Sequence, residues 1–309
     1  MKKKLYICVA AQRLSHDDHK IYRGVVPMSE IHRDKFFEEV NDPRDADIIY
    51  LGQFSDGNRQ FVRNDFPELD LQDKLFVADI EGDWHNKKIA LDLIQNVYLT
   101  INNAKTEYAA SGGRMFVRPT FSKLLHELAT AQRTIEFKPN ISKIFGFLGQ
   151  LDPNGTRLRM AQACEVAKIK HDIVFNDQSY SQQGSGADKV EEYIARMKES
   201  TFALCPRGVG RDTIRFFEAC AAGRIPVILS SIEIFRSNET DHFWFKMPHD
   251  ASSAQIALFL REISDLPVAD IEARQVAARQ YFETLVKEYF QNPTKVFLNW
   301  LEKESPRGI

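Results

Sequence analysis

The residues with most chemical promise lie between Cys205 and Ser230. The run reads Cys205-Pro206-Arg207-Gly208-Val209-Gly210-Arg211-Asp212-Thr213-Ile214-Arg215-Phe216-Phe217-Glu218 and continues through Gly223 into an apolar segment at 225–229. Arg207, Arg211 and Arg215 offer planar cationic forks that match phosphate oxygens. Gly208 and Gly210 let a ligand approach the backbone closely. Asp212 or Thr213 can cap a helix there, and free N–H groups at a helix start can hold a diphosphate. Arg215 and Glu218 are three apart and share a helical face. Glu218 is expected to face a cleft, where a carboxylate can accept both hydroxyls of a ribose. The plainer alternative is an exposed Arg215–Glu218 ion pair contributing ~0–1 kcal/mol. Arg157 follows a glycine-containing turn at another strand-to-helix position and is a fourth candidate cation; a solvated helix residue is its alternative.

A proton-accepting group is sought elsewhere. Asp79-x-Glu81-x-Asp83-x-His85 follows one apolar run and His16-Asp17-Asp18-His19 follows another. Ligands of parallel sheets sit beyond strand carboxyl ends, so both clusters qualify. Asp79, Glu81 and Asp83 are the preferred candidates for a general base, because they alternate directly after a buried strand; His16 and Asp17 come second. Each cluster also reads as a polar loop that caps helices. A metal site is disfavoured, since no third ligand group stands at a set spacing. No metal or other cofactor is expected.

The patterning that must position these groups alternates strand and helix. Apolar runs at 5–11, 47–51, 74–78 and 114–118 read as strands, with helices at 29–40, 89–100 and 121–132. Residues 134–142, with Lys138-Pro139-Asn140 and no periodicity, read as a linker. The pattern restarts with strands at 143–148, 172–175, 201–205 and 225–229, and helices at 156–167, 187–198, 211–222, 252–263, 268–290 and 293–303. This predicts an α/β protein with two doubly wound Rossmann-type domains facing across a cleft. The expected boundaries are 1–138, 139–285 and a terminal helical segment, 286–309, packing back on the first domain. Gln182 to Gly186 is the most flexible-looking stretch.

Composition narrows the classes. The 309 residues suit two domains. A net charge of −2, from 41 basic and 43 acidic residues, argues against a general nucleic-acid binder. Cys8, Cys164, Cys205 and Cys220 form no CxxC pair and read as buried free thiols in a reducing compartment. The basic start Lys2-Lys3-Lys4 with an apolar run of about seven residues falls short of a membrane span and reads as a first strand. A cytoplasmic protein is expected. Peripheral contact of the three lysines with an anionic inner membrane face stands beside the plainer solvated terminus. The oligomeric state is open. An oxidoreductase is disfavoured, because no Gly-x-Gly-x-x-Gly follows an early strand.

The pattern Phe202-x-Leu204-x-Pro206-Arg207-Gly208, then Arg215-x-x-Glu218-Ala219, then Ala222-Gly223-x-Ile225-Pro226-Val227-Ile228 resembles the exostosin-like glycosyltransferases, family 47. Asp42-Pro43-Arg44-Asp45-Ala46-Asp47, the segment from Phe147 to Arg157, and the run from Tyr193 to Ser200 resemble further parts of that family, in order. The resemblance implies a GT-B fold and an inverting, metal-independent transfer from a nucleotide sugar, usually a UDP-sugar, to a saccharide acceptor. It implies donor contacts from Arg157, Pro206, Arg207, Gly208, Arg211, Asp212, Thr213, Arg215 and Glu218. The chain looks like a compact bacterial-type relative acting in polysaccharide or glycan synthesis. The signature also partly resembles that of alpha-1,3-fucosyltransferases, which would imply GDP-fucose. A non-catalytic nucleotide-sugar-binding protein is the remaining alternative.

Overall fold

A computed structural model describes residues 2–7, 37–53, 75–80, 97–101, 114–117, 122–152, 155–176, 187–207, 213–230 and 242–287, together with 295 and 299. The chain divides into two compact units, Met1–Arg118 with Gln291–Ile309, and Pro119–Phe290. Each holds one wholly parallel sheet.

The first sheet contains β1 (Lys3–Ile7), β2 (Phe37–Glu39), β3 (Ile48–Gln53), β4 (Leu75–Ile80), β5 (Val97–Ile101) and β6 (Arg114–Val117). Its order is β2-β1-β3-β4-β5-β6. The Asp42–Asp47 segment has a local cause. The Asp42 carboxylate caps a short 3-10 turn by accepting from the Arg44 N–H at 2.9 Å, with Pro43 supplying the first turn residue. The Asp47 carboxylate then accepts from the Lys4 N–H at 2.8 Å, fixing where β3 enters beside β1. Two expectations fail here. Residues 37–39 lie in a strand paired with Lys3–Leu5, not in a helix. Residues 97–101 form a central strand, not the end of a helix. The run Val97-Tyr98-Leu99-Thr100-Ile101 is rich in β-branched and aromatic residues, and pairing on both sides, with β4 and β6, outweighs the short apolar periodicity that suggested a helix.

The second unit contains α1 (Lys123–Ala129), β7 (Phe145–Gly149), α2 (Thr156–Ala167), β8 (His171–Phe175), α3 (Ala187–Glu199), β9 (Phe202–Pro206), α4 (Ile214–Ala221), β10 (Ile225–Leu229), β11 (Phe245–Met247), α5 (Ser253–Ser264) and α6 (Val268–Tyr281). Its order is β11-β10-β9-β7-β8. In both sheets the third strand of the unit pairs on the far side of the first from the second, the doubly wound arrangement with a switch point between first and third strands. Every residue of β9 and β10 is buried, as expected for strands covered on both faces. One face packs Leu124, Leu125, Tyr193, Met197, Phe216, Phe217 and Tyr281. The other packs Met160, Ala163, Cys164, Ile256, Leu260 and Ile271. The chain therefore has the expected α/β fold class, with two Rossmann-type parallel sheets.

Three boundaries differ from expectation. The unit boundary falls at 118/119, not 138/139, because Ser122 and α1 are built into the second unit's core. It falls again at 290/291, not 285/286. β11 was not foreseen, since it is only three residues long. Of the 268–290 helix, α6 covers 268–281, followed by a π-helical turn over Phe282–Val286. Gly223 follows α4 with φ of +63°, and a Cβ there would stand 2.3 Å from the Phe137 ring, so glycine is required.

Candidate functional site

The site starts from a gap in the second sheet. β7 runs beside β8 over five residue pairs, from Phe145↔His171 to Gly149↔Phe175. Beside β9 it pairs only at Phe145↔Phe202 and Gly146↔Ala203. Beyond those residues the two strands part, at the switch point where open α/β sheets bind ligands. The Leu148 carbonyl, which would otherwise continue the ladder towards β9, accepts from Nη2 of Arg215. The Arg215 guanidinium thus occupies the mouth of the gap. Its carbon stands 4.2 Å from the centre of the Phe147 ring, a cation–π contact. A Cβ at Gly149 would lie 3.1 Å from both Nη2 of Arg215 and the Phe147 ring edge, so the arginine needs the glycine beside it.

Behind Arg215 runs a buried polar chain. Nε of Arg215 donates to the Tyr193 hydroxyl at 3.2 Å. That hydroxyl donates to one oxygen of Glu218, and Ser122 Oγ donates to the other at 2.7 Å. Burial pushes the Glu218 pKa up, partly offset by the two donated hydrogen bonds and by Arg215. Burial likewise pushes the Tyr193 phenol well above its ordinary value, against the pull of Arg215. For Arg215, burial acts downward, but Tyr193, Cys205 and Glu218 outweigh it and the net shift is upward. This corrects the expectation for Glu218. The residue is only 2% exposed and both carboxylate oxygens serve protein hydroxyls, so it does not stand in an open cleft awaiting a ribose. Nor do Arg215 and Glu218 form a surface pair, because Tyr193 bridges them inside the core.

Two further arginines border the gap. Arg157, in the first turn of α2, donates through Nη1 to the Gln150 carbonyl. Its guanidinium carbon lies 5.6 Å from the same Phe147 ring, and burial followed by repulsion from Arg215 lowers its pKa. Its Nε is buried with no hydrogen-bond partner. The α2 start is not an open anion site. Asp152 accepts from the N–H groups of Thr156 and Arg157 at 3.1 and 2.8 Å, which already meets those donors. Arg207 follows β9 directly after Pro206, and its N–H donates to the Leu229 carbonyl at 3.0 Å. It is 9% exposed, and its Nε too is buried without a partner. Thr213 takes the cap position of α4 but its side chain makes no cap hydrogen bond.

The structure thus brings Arg157, Pro206, Arg207, Thr213 and Arg215 to neighbouring strand and helix ends of one sheet. Gly208, Arg211 and Asp212 lie outside the described residues, as do His16, Asp17, Glu81, Asp83 and the 182–186 stretch. Asp79 is the penultimate residue of β4, paired in register with Thr100. Among the described residues no group of three His, Cys, Asp or Glu side chains could hold a metal ion. No described helix is long and apolar enough to cross a membrane. The sequence reading missed Ser122, Phe147, Asn176 and the hydroxyl of Tyr193. Tyr193 lies in a helix with Val190, Ile194 and Met197 and reads as ordinary core; only its contacts reveal the bridge.

Residues 128–279, just under half of the chain and all within the second unit, match the family described as the RXYLT1 C-terminal domain. A curated relative, ribitol-5-phosphate xylosyltransferase 1 from Danio rerio, is 23% identical over 137 residues. The match covers 44% of this chain and 31% of that protein, so the chain spans only about a third of its relative. Among solved structures, the N-terminal domain of Candida albicans trehalose-6-phosphate phosphatase aligns with a TM-score of 0.51 at 12% identity, covering 86% of this chain and 72% of that one. Anabaena Alr3699/HepE, solved in complex with UDP, aligns with a TM-score of 0.46 at 14% identity, covering 97% and 100%. The family resemblance, carried by the second unit, is to glycosyltransferases.

Proposed function

We propose that the chain is a nucleotide-sugar-dependent glycosyltransferase whose donor diphosphate binds at the parting of β7 and β9. The observation that carries this reading is the cluster of under-compensated cations. Arg157 and Arg215 share one aromatic ring and repel each other, while Arg157 and Arg207 each bury an Nε that meets nothing. Asp152 and Glu218 act on Arg157 and Arg215 only in part, Glu218 through Tyr193, and neither meets the two buried Nε groups, which an anion would complete. A diphosphate supplies that anion, and the resemblance to a xylosyltransferase domain supports a glycosyl donor.

In this reading the arginines take up the charge that develops on the diphosphate as the anomeric C–O bond breaks, without a metal. A base in the first unit removes the proton from the acceptor hydroxyl as it attacks, giving inversion. Asp79, Glu81 and Asp83 are the first candidates, with His16 and Asp17 second. Glu218 is reassigned as a positioning residue that acts on Arg215 through Tyr193. A UDP-sugar donor, a saccharide acceptor, exostosin-like membership and a bacterial-type role in polysaccharide synthesis in the cytoplasm complete the proposal.

Calorimetry with UDP, GDP and CMP tests it. UDP is expected to bind most tightly, and Arg207→Ala and Arg157→Ala to weaken it about ten-fold or more each, as expected for one charge-assisted hydrogen bond lost. Preference for GDP would favour the fucosyltransferase-like reading. Binding of none of the three overturns the proposal. Binding without transfer to any saccharide acceptor would favour the non-catalytic module.

A further inference from the structure

We infer that Asn176 is a specificity-determining residue that reads a neutral, paired donor–acceptor edge of the bound nucleotide; this rests on the donor-site reading above. Asn176 follows β8 directly, and its N–H donates to the Gly149 carbonyl at 3.1 Å. The next carbonyl along, that of Gln150, accepts from Arg157. The asparagine and the arginine therefore hold adjacent peptide groups at the carboxyl end of β7. Both Nδ2 and Oδ1 of Asn176 are buried, and neither has a hydrogen-bond partner.

Two other side-chain amides among the described residues of the second unit differ from it. Asn140 donates to the Lys198 and Glu199 carbonyls at 3.0 and 2.9 Å and accepts from the Ser142 N–H at 2.9 Å. Gln275, fully buried, donates to the Asn140 carbonyl and accepts from the Asn140 N–H, both at 2.8 Å. Both of these amides are thus met at both ends, as is the rule in folded proteins. Asn176 is met at neither.

The chemistry of an amide says what completes it. Nδ2 donates and Oδ1 accepts, so a phosphate, which only accepts, would leave Oδ1 stranded. A donor lying beside an acceptor satisfies both. In a nucleoside diphosphate this is either the imide edge of a pyrimidine or the vicinal hydroxyls of the ribose. The sheet order supports a divided ligand. β7 separates β8, with Asn176, from β9, with Arg207, so the two residues stand on opposite sides of β7 at the carboxyl end of the sheet. The arginines hold the charged part of the ligand and the amide holds a neutral part.

The test compares wild type and Asn176→Ala by calorimetry with UDP and inorganic pyrophosphate. The substitution is expected to weaken UDP about ten-fold, two neutral hydrogen bonds being lost, and to leave pyrophosphate unchanged. Wild type is then titrated with N3-methylated UDP and 2′-deoxy-UDP, and the analogue that binds as weakly as UDP binds to Asn176→Ala identifies the edge. As an independent readout, Asn176→Leu should raise the ligand-free melting midpoint by about 2–4 °C, because it removes two buried polar atoms that nothing meets. Unchanged UDP affinity in Asn176→Ala, equal loss of pyrophosphate, or full affinity of wild type for both analogues overturns the inference while the donor-site reading stands. Failure of wild type to bind any of UDP, GDP or CMP overturns both.

Discussion

Glu218 keeps a carboxylate in the core with two hydroxyl donors and Arg215 nearby, and its protonation is therefore linked to folding. Its folded pKa is raised, with burial as the largest cause. A raised carboxylate pKa means that the folded state holds its proton more tightly than the unfolded chain does. The stability this contributes is present below the unfolded value of 4.5 and is lost as pH rises through the folded value. Glu218→Gln should therefore gain stability relative to wild type as pH is raised from 4.5 towards neutrality, and urea unfolding across that range reads the difference. A constant difference at all pH values would show that Glu218 does not titrate on folding. Tyr193→Phe acts differently. It removes a donor from Glu218 and an acceptor from Nε of Arg215. It should cost about 1–3 kcal/mol in urea unfolding and weaken UDP through a loosened Arg215. A stability loss with unchanged UDP affinity would confine Tyr193 to a structural role.

At the scale of elements, the expected linker at 134–142 is part of the second unit's framework. Arg224, 1% exposed, donates through Nε to the Ala222 carbonyl at 3.0 Å and through Nη1 to the Lys198 and Ser200 carbonyls at 3.3 and 3.2 Å. Its Nη2 donates to the Lys138 carbonyl. One side chain thus ties the ends of α3 and α4 to the segment leading into β7. Burial lowers its pKa to about 10, which leaves it charged at neutral pH. Arg224→Leu takes these donors away, leaving the Lys198 carbonyl to Asn140 alone, and should cost about 2–4 kcal/mol, read as a lowered urea midpoint. A loss below about 0.5 kcal/mol, the range of surface substitutions, would show that the carbonyls find other donors. The sequence carries the fully apolar strands β9 and β10 and the position of Gly223 plainly, because burial and positive φ select residue types. It does not carry the linker's attachment. Arg224 looks like any arginine after a helix, and only the carbonyls that gather around it explain why it is buried.

For the whole molecule, alternation of strands and helices was enough to foresee two parallel sheets, but not where the second unit begins. That boundary depends on one hydrogen bond from Ser122 to Glu218 and on the packing of α1 against α4, contacts between residues 96 apart in sequence. The candidate site divides in the same way. Arg157, Arg207 and Arg215 are candidates from sequence because cations beside glycine-containing strand-to-helix turns suit phosphate. Asn176 is not, since an asparagine after a strand is ordinary until its partners are counted. Both large core clusters of the second unit lie between Leu124 and Phe282, and so do all strand pairings of its sheet. A segment of about 170 residues is long enough to bury its own core. Residues 119–290 expressed alone should therefore unfold in a single cooperative transition and bind UDP within about three-fold of the full chain, a difference of less than 1 kcal/mol. Transfer to a saccharide acceptor should be abolished, since the candidate bases lie in the first unit. Thermal melting and calorimetry on the isolated segment decide the matter: loss of UDP affinity from a cooperatively folded segment would place essential donor contacts in the first unit, and retained transfer activity would remove Asp79, Glu81, Asp83, His16 and Asp17 from the search for the base.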